Sequence, residues 1–223
     1  FRFFFFTDFS WGASILKDKK ETITMNTIRL GSYNVLNLYD AIDDPGKDAE
    51  KPRPKPEAEI AAVAQVLRDS NADVVALQEV EKAETLETLR GGYLADVYPH
   101  SVLIEGNDKR GSDVALLSKF PLKNVVSHRD HIFKRKDNGE DMQFRRDLLR
   151  ADVQLPNAPP LRVYAVHFKS KFGGEESDRV RTAEASEVAR LAREQSAGFP
   201  GQNVVVIGDA NDTPDSTTGQ ALV

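Results

Sequence analysis

Apolar positions in this chain fall into two rhythms. Val204 to Ile207, in NVVVIGD, run unbroken and stop at Gly208; Val74 to Leu77, in ADVVALQEV, run unbroken and stop at Gln78-Glu79. Both predict buried strands with polar ends. Thr27 to Leu36 alternates weakly, is rich in β-formers, and predicts a strand ending near Asn34. GSDVALLSKFPL reads as a strand closed by Pro121, and QFRRDLLRADVQL and LRVYAVHFKS as two strands joined in a hairpin through PNAPP. The helical rhythm appears from Glu57, where Ile60, Val63, Ala64, Val66 and Leu67 share a face and Asn71 supplies a stop. A short helix is expected over Lys82 to Arg90. A longer one is expected over ESDRVRTAEASEVARLAREQS, with a thin stripe of Val180, Ala183, Val188, Leu191 and Ala192 and Ser177 as candidate N-cap. Arg179, Arg181 and Arg190 among its glutamates read as a solvated face. YDAIDDPGKDAEKPRPKPE and residues 128–142 read as polar connections. Continuous and alternating strands mixed with helices predict a sheet-rich layered domain, α/β or α+β.

Composition narrows the picture. The chain has 223 residues, a net charge of -5 and no cysteine. A domain of this size buries roughly 70–75% of its unfolded surface without a staple. Disulfides, thiolate chemistry and Cys-based zinc sites are excluded. The acidic total is not the footprint of a nucleic-acid binder, although residues 129–150 hold seven Lys/Arg against five Asp/Glu. No apolar run approaches the ~20 residues of a membrane span. Residues 1–24, FRFFFFTDFSWGASILKDKKETIT, make a poor signal peptide: the apolar block is broken by Asp8 and no small-residue cleavage site follows. We expect this segment to be a non-native leader or a disordered extension. KKE back-translates to a ribosome-binding sequence shortly before Met25, so the domain is expected over residues 25–223. A start at Met25 would leave no export signal, with the cytoplasm as the expected location.

Candidate chemistry sits at strand ends. Glu79, His167 and Asp209 each end an apolar strand, and Asn34 lies late in a fourth. Groups beyond strand ends open onto a crevice, the usual place for a ligand site in layered sheets. The oxygen-rich set Asn34, Glu79, Asp209 and Asn211 suits a hard cation, Mg²⁺ or Mn²⁺, which keeps waters and binds substrate phosphate. Each residue also has a plainer role open to it. Asn34 can end a strand, Glu79 can be solvated, His167 can be a satisfied core histidine, and GDAND can be a turn. Arg145, Arg146 and Arg150 can be a solvated strand face. Asp212 and Asp215 are assigned to the turn, and Lys169 and Lys171 to solvent or to a substrate phosphate.

GSYNVLNL, ADVVALQEVE, RGSDVALLSKFPL, FRRDLLRADV, VYAVHFKSK and NVVVIGDAND occur in an order that resembles the endonuclease/exonuclease/phosphatase superfamily, the deoxyribonuclease I-like fold. The resemblance spans most of residues 27–213. It implies an α+β four-layer α/β/β/α sandwich and a divalent-metal-dependent phosphodiester hydrolase, with a nuclease as the leading reading. DNA or RNA would then be the substrate, with no membrane span and no protein partner inferable. A phosphomonoesterase or a lipid-headgroup or inositol phosphatase on the same fold is the alternative within enzymes, and a non-catalytic binding module the alternative outside them. It further implies Asn34 and Glu79 as metal ligands and His167, Asp209 and Asn211 as catalytic residues. Arg146, His167 and Asn211 would contact phosphate. The family places an Asp-His pair near its C-terminus, and TPDSTTGQALV contains no histidine. The chain is therefore expected to be a C-terminally truncated member, weakly active or inactive as it stands.

Overall fold

The computed structural model describes residues 4–17, 20–44, 47, 53–198 and 201–222. Strands β1 (Phe4–Lys17) and β2 (Lys20–Leu38) form a long antiparallel hairpin. After α1 (Glu57–Asp69) the chain enters β3 (Val74–Val80), which pairs parallel to β2. Helix α2 (Ala83–Leu89) runs into a π-helical turn at Arg90–Leu94. Strands β4 (His100–Leu103) and β5 (Asp113–Ser118) complete a five-stranded sheet ordered β1-β2-β3-β5-β4.

The second sheet is ordered β11-β10-β9-β6. It comprises β6 (Leu122–Ser127), β9 (Leu149–Val153), β10 (Leu161–His167) and β11 (Asn203–Asp209). Strands β9 and β10 form the antiparallel pair expected from PNAPP. Strands β10 and β11 pair parallel, with α3 (Gly174–Gly198) as the crossover. Short strands β7 (Phe133–Lys134) and β8 (Asp141–Met142) make a small ribbon, and α4 (Thr217–Leu222) follows β11.

The unbroken apolar runs of β3 and β10 are explained by burial on both strand faces, whereas in the edge strand β11 Val204, Val205 and Val206 are half-buried and only Ile207 is buried. In β3, Val75 and Leu77 pack with Val63, Leu67 and Leu86 of the helices. Val74 and Ala76 instead meet Leu149, Val163 and Ala165 of the other sheet. Strand β10 repeats the device: Val163 and Ala165 enter the inter-sheet core, while Tyr164 and Val166 pack with Ala185 and Val188 of α3. The fold is α+β.

Several local expectations shift. Asn71 follows α1 with φ 48°, as a helix stop should. Ser177 does not cap α3; it lies inside the helix and its hydroxyl donates to the Phe172 carbonyl at 2.7 Å. Strands β4 and β6 were not legible, being short and half-buried. Within the segment expected as leader or disordered extension, residues 4–17 and 20–24 are paired strand. There Phe9 packs on the inter-sheet core and Asp8 accepts from Arg29 Nε at 3.1 Å. Among the described residues no helix is long and apolar enough to cross a membrane.

Candidate active site

Two parallel pairs, β2/β3 in one sheet and β10/β11 in the other, are the scaffold. Parallel pairing makes their carboxyl ends coincide, and β11 packs against both β2 and β3. Asn34, Glu79, His167 and Asp209 are therefore brought together at the strand ends.

Strands β2, β3 and β11 are distorted close to where they deliver their side chains. The β2/β3 register slips between Asn34 and Leu38, with Leu36 and Asn37 at φ 55° and 57°. The β3/β5 register slips between Gln78 and Val80, so Glu79 is the bulged residue, at φ 65°. A left-handed glutamate stores strain of about 1–3 kcal/mol, which surrounding contacts must offset. At the end of β11, Gly208 takes φ 151°, and a Cβ there would run into the Val166 carbonyl. Only glycine lets β11 approach β10 closely enough to set Asp209 opposite His167.

The side chains interlock. Asn34 Nδ2 donates to Glu79 Oε1 at 3.0 Å and to Asp209 Oδ2 at 3.2 Å. Its Oδ1 accepts from the Leu36 N–H, and Glu79 Oε2 accepts from the Asn37 N–H. Asp209 Oδ1 accepts from the Asn211 N–H at 2.8 Å, while Asn211 Nδ2 donates to the Phe168 carbonyl at 2.9 Å. His167 Nε2 lies 4.0 Å from Asp209 Oδ2, and its buried Nδ1 has no hydrogen-bond partner. Burial, followed by the charges of Arg146 and Arg110, holds the His167 imidazole well below its usual value, so the ring is neutral.

Arg146 is buried, not part of a solvated strand face. Its Nη1 donates to the carbonyls of His167 and Phe168 at 3.1 and 3.0 Å, and its Nε sits 3.5 Å from Asp108 Oδ2. Lys169 does not simply point to solvent: its Nζ donates to the Phe172 carbonyl at 2.8 Å, and burial with nearby arginines lowers its pKa. Lys171 is exposed and pairs with Asp212 at 2.9 Å. Asp212 does more than shape the turn, because it also accepts from Arg181 Nε at 3.0 Å. Arg181, expected on a solvated helix face, is only 1% exposed. A separate open cleft of about 600 Å³ is lined in part by Asn107, Met142, Phe144 and Arg145, and by none of the strand-end residues.

Sequence reasoning missed the loop Asn107–Ser112. Asp108 and Arg110 stand beside Arg146, and Tyr39 is coupled to both. The NDKRG string has the look of a polar turn, and nothing in its spacing reveals which strand ends it adjoins.

This loop hangs from a buried carboxylate. Asp113 Oδ1 accepts from the Gly106 N–H at 2.9 Å, while its Oδ2 finds no partner. Burial pushes the Asp113 carboxyl up to about 7. A folded value above the unfolded one means stability fully present below about pH 4 and lost as pH rises through the folded value. Asp113→Asn keeps an oxygen for Gly106 without the titration. The variant should gain on the order of 2–3 kcal/mol over wild type at pH 8 and little at pH 4, by urea unfolding. A difference that does not grow with pH would refute this assignment.

The crevice at the ends of the two parallel pairs gathers two carboxylates, two amides, an imidazole and a buried guanidinium. The model of the endonuclease/exonuclease/phosphatase family matches residues 31–223, and the chain belongs to that family. Similar solved structures include SmcL, 19% identical, with TM-score 0.61 over 87% of this chain and 67% of that one. A variant of beta toxin from Staphylococcus aureus with bound magnesium ions is 18% identical, with TM-score 0.60 over 86% and 68%. Sphingomyelinase C from Streptomyces griseocarneus is 18% identical, with TM-score 0.52 over 73% and 61%. At these identities the likeness shows a shared fold. No curated protein matches the chain.

Proposed function

We propose that the chain carries the catalytic crevice of a divalent-metal-dependent phosphodiester hydrolase. The observation behind this reading is that Glu79 and Asp209, from different sheets, converge on one Asn34 amide. Like-charged groups collected in this way suit a cation. Among the described residues no three His, Asp or Glu side chains cluster to hold a metal. Such a donor set fits Mg²⁺ or Mn²⁺, which bind through one or two carboxylates and complete their shell with water and phosphate. Glu79 would be the principal ligand. Asn34 would join through Oδ1 after a half-turn of its amide, because its nitrogen now faces the carboxylates. A magnesium-bearing structural neighbour is consistent with this reading.

The bound cation would supply charge neutralisation at the phosphate or the leaving oxygen. Asp209 would orient and deprotonate the attacking water. Asn211 and neutral His167, each with an N–H to offer, would meet the equatorial oxygens with Arg146. Burial disfavours a charged His167, which suits the ring to the role of hydrogen-bond donor.

Nucleic acid is the substrate class we place first, on the local cationic bias of residues 129–150. Much of that charge is engaged internally: Lys134 pairs with Asp141, and Arg135 with Asp137 and Glu176. A lipid-headgroup phosphodiester is therefore the second arm of the test. With Mg²⁺, the weak turnover expected of this chain should be at least about tenfold faster on a bis-aryl phosphodiester than on the matching monoester, and should be lost in chelator. Plasmid DNA, RNA and a choline phospholipid then sort the substrate class. Preference for the monoester would overturn the phosphodiesterase reading.

A further inference from the structure

Two guanidiniums meet at one carboxylate beside the crevice. Asp108 accepts from Arg110 Nε at 3.1 Å and Arg110 Nη2 at 3.0 Å, a forked pair, and also lies 3.5 Å from Arg146 Nε. That Arg146 Nε is buried and makes no hydrogen bond. Asp108 thus bridges Arg110 to Arg146, whose Nη1 holds the His167 and Phe168 carbonyls at the end of β10. Arg110 and Arg146 together exceed the single charge of Asp108, and the Arg110 side chain is 52% exposed while Asp108 is 12%. One face of the guanidinium is fixed and the other is open.

The loop that presents it is braced at several points. Asn107 Nδ2 donates to the Phe144 carbonyl at 3.0 Å and to the Arg129 carbonyl at 2.6 Å, and the Asn107 N–H donates to the Arg146 carbonyl. A Cβ on Gly106 would come within 2.8 Å of the Arg146 backbone, so the loop and Arg146 are packed without space between them. Asp108 also accepts the Arg110 N–H at 2.8 Å, which closes the turn. A surface ion pair of ordinary kind contributes under about 1 kcal/mol and needs no such bracing.

We infer that Arg110 is a further substrate-binding residue, gripping phosphate oxygens alongside Arg146, and that Asp108 is the positioning residue holding both arginines. The inference rests on the phosphodiesterase reading for its substrate and deepens it. A guanidinium pre-ordered by a carboxylate presents its remaining N–H groups to phosphate at low entropic cost. Arg110 therefore contributes to ground-state binding, and its loss should appear in KM more than in kcat.

The test uses the full chain and inorganic phosphate as probe, in chelator so that metal plays no part. Phosphate affinity is read by calorimetry for wild type, Arg110→Ala, Arg110→Lys and Glu79→Gln. Arg110→Ala should bind about tenfold more weakly, with Arg110→Lys recovering part of the loss. Glu79→Gln should bind at least as well as wild type, since it removes a negative charge. With a bis-aryl phosphodiester and Mg²⁺, Arg110→Ala should raise KM about tenfold and leave kcat within about threefold. Unchanged thermal midpoints for the Arg110 variants confirm that the loop still folds. Phosphate affinity of Arg110→Ala within about twofold of wild type, or no phosphate binding by wild type, would overturn the inference. Metal-dependent turnover surviving in Glu79→Gln would instead sink the phosphodiesterase reading, independently of Arg110.

Discussion

Glu79→Gln should lower metal-dependent phosphodiester hydrolysis by about 10²–10³-fold, while the metal-free protein stays folded. Two effects combine. The charge that would hold a hard cation is removed, and a donor replaces an acceptor inside a donor-rich pocket. Asn34 Nδ2 and the Asn37 N–H now each find one Glu79 oxygen. A glutamine offers one oxygen, so one of the two must face an N–H group. Against that loss, Glu79 and Asp209 no longer repel each other across Asn34. Without metal the net change in stability should therefore stay within about 1 kcal/mol, because the lost hydrogen bond and the relieved repulsion offset each other. Divalent metal should raise the thermal midpoint of wild type and not that of the variant. An equal metal-induced shift in both would show that Glu79 is not the principal ligand.

The largest stability effect is expected at Arg181, away from the chemistry. Its guanidinium donates to Asp212 Oδ2 at 3.0 Å, to the Lys169 carbonyl at 3.1 Å and to Asp178 Oδ1 at 2.5 Å. It thus ties α3 to the loops that follow β10 and β11, the loops that carry Asn211 and Phe168. Burial works against the Asp212 charge, yet hydrogen bonds from Lys171 and Arg181 outweigh it and hold the carboxyl well below the usual range. Arg181→Met leaves that buried carboxylate with Lys171 as its remaining cation. The expected cost is about 3–5 kcal/mol in urea unfolding at pH 7. Since a depressed folded value means stability present above the unfolded pKa and lost as pH falls, the cost should shrink below about pH 4. The double variant Arg181→Met/Asp212→Leu should recover part of the loss. A cost under about 1 kcal/mol would mean that the network is no stronger than a surface pair.

The same residue shows the limit of reading a helix from its own sequence. A charge alternation of Arg and Glu at helical spacing looks the same whether the face meets water or a loop. Asp212 lies 31 positions along the chain from Arg181, and no local period encodes that meeting. Arg110 is a similar case. Its partner Asp108 is only two residues away, yet no local pattern marks the pair, and its place beside Arg146 is set by tertiary packing. Arg146 was legible as a type of residue, through the family resemblance, but its burial and its hold on the His167 and Phe168 carbonyls were not.

What the sequence determined by itself was the set of strands and helices with strong rhythm and the polar group at each strand end. The run at residues 74–77 is buried on both faces, whereas the run at 204–207 lies in the edge strand β11, where the three valines are half-buried. Asn34, Glu79, His167 and Asp209 follow directly as the residues where those runs stop. Only the tertiary structure decided that these ends meet. Parallel pairing of β2 with β3 and of β10 with β11 aligns the carboxyl ends, and packing of the two sheets brings one pair over the other. It also decided the register slips that turn Glu79 inward and the left-handed backbone they require. Such strain is stable only when contacts distant in sequence enforce it, and so it leaves no mark in the local pattern of residues.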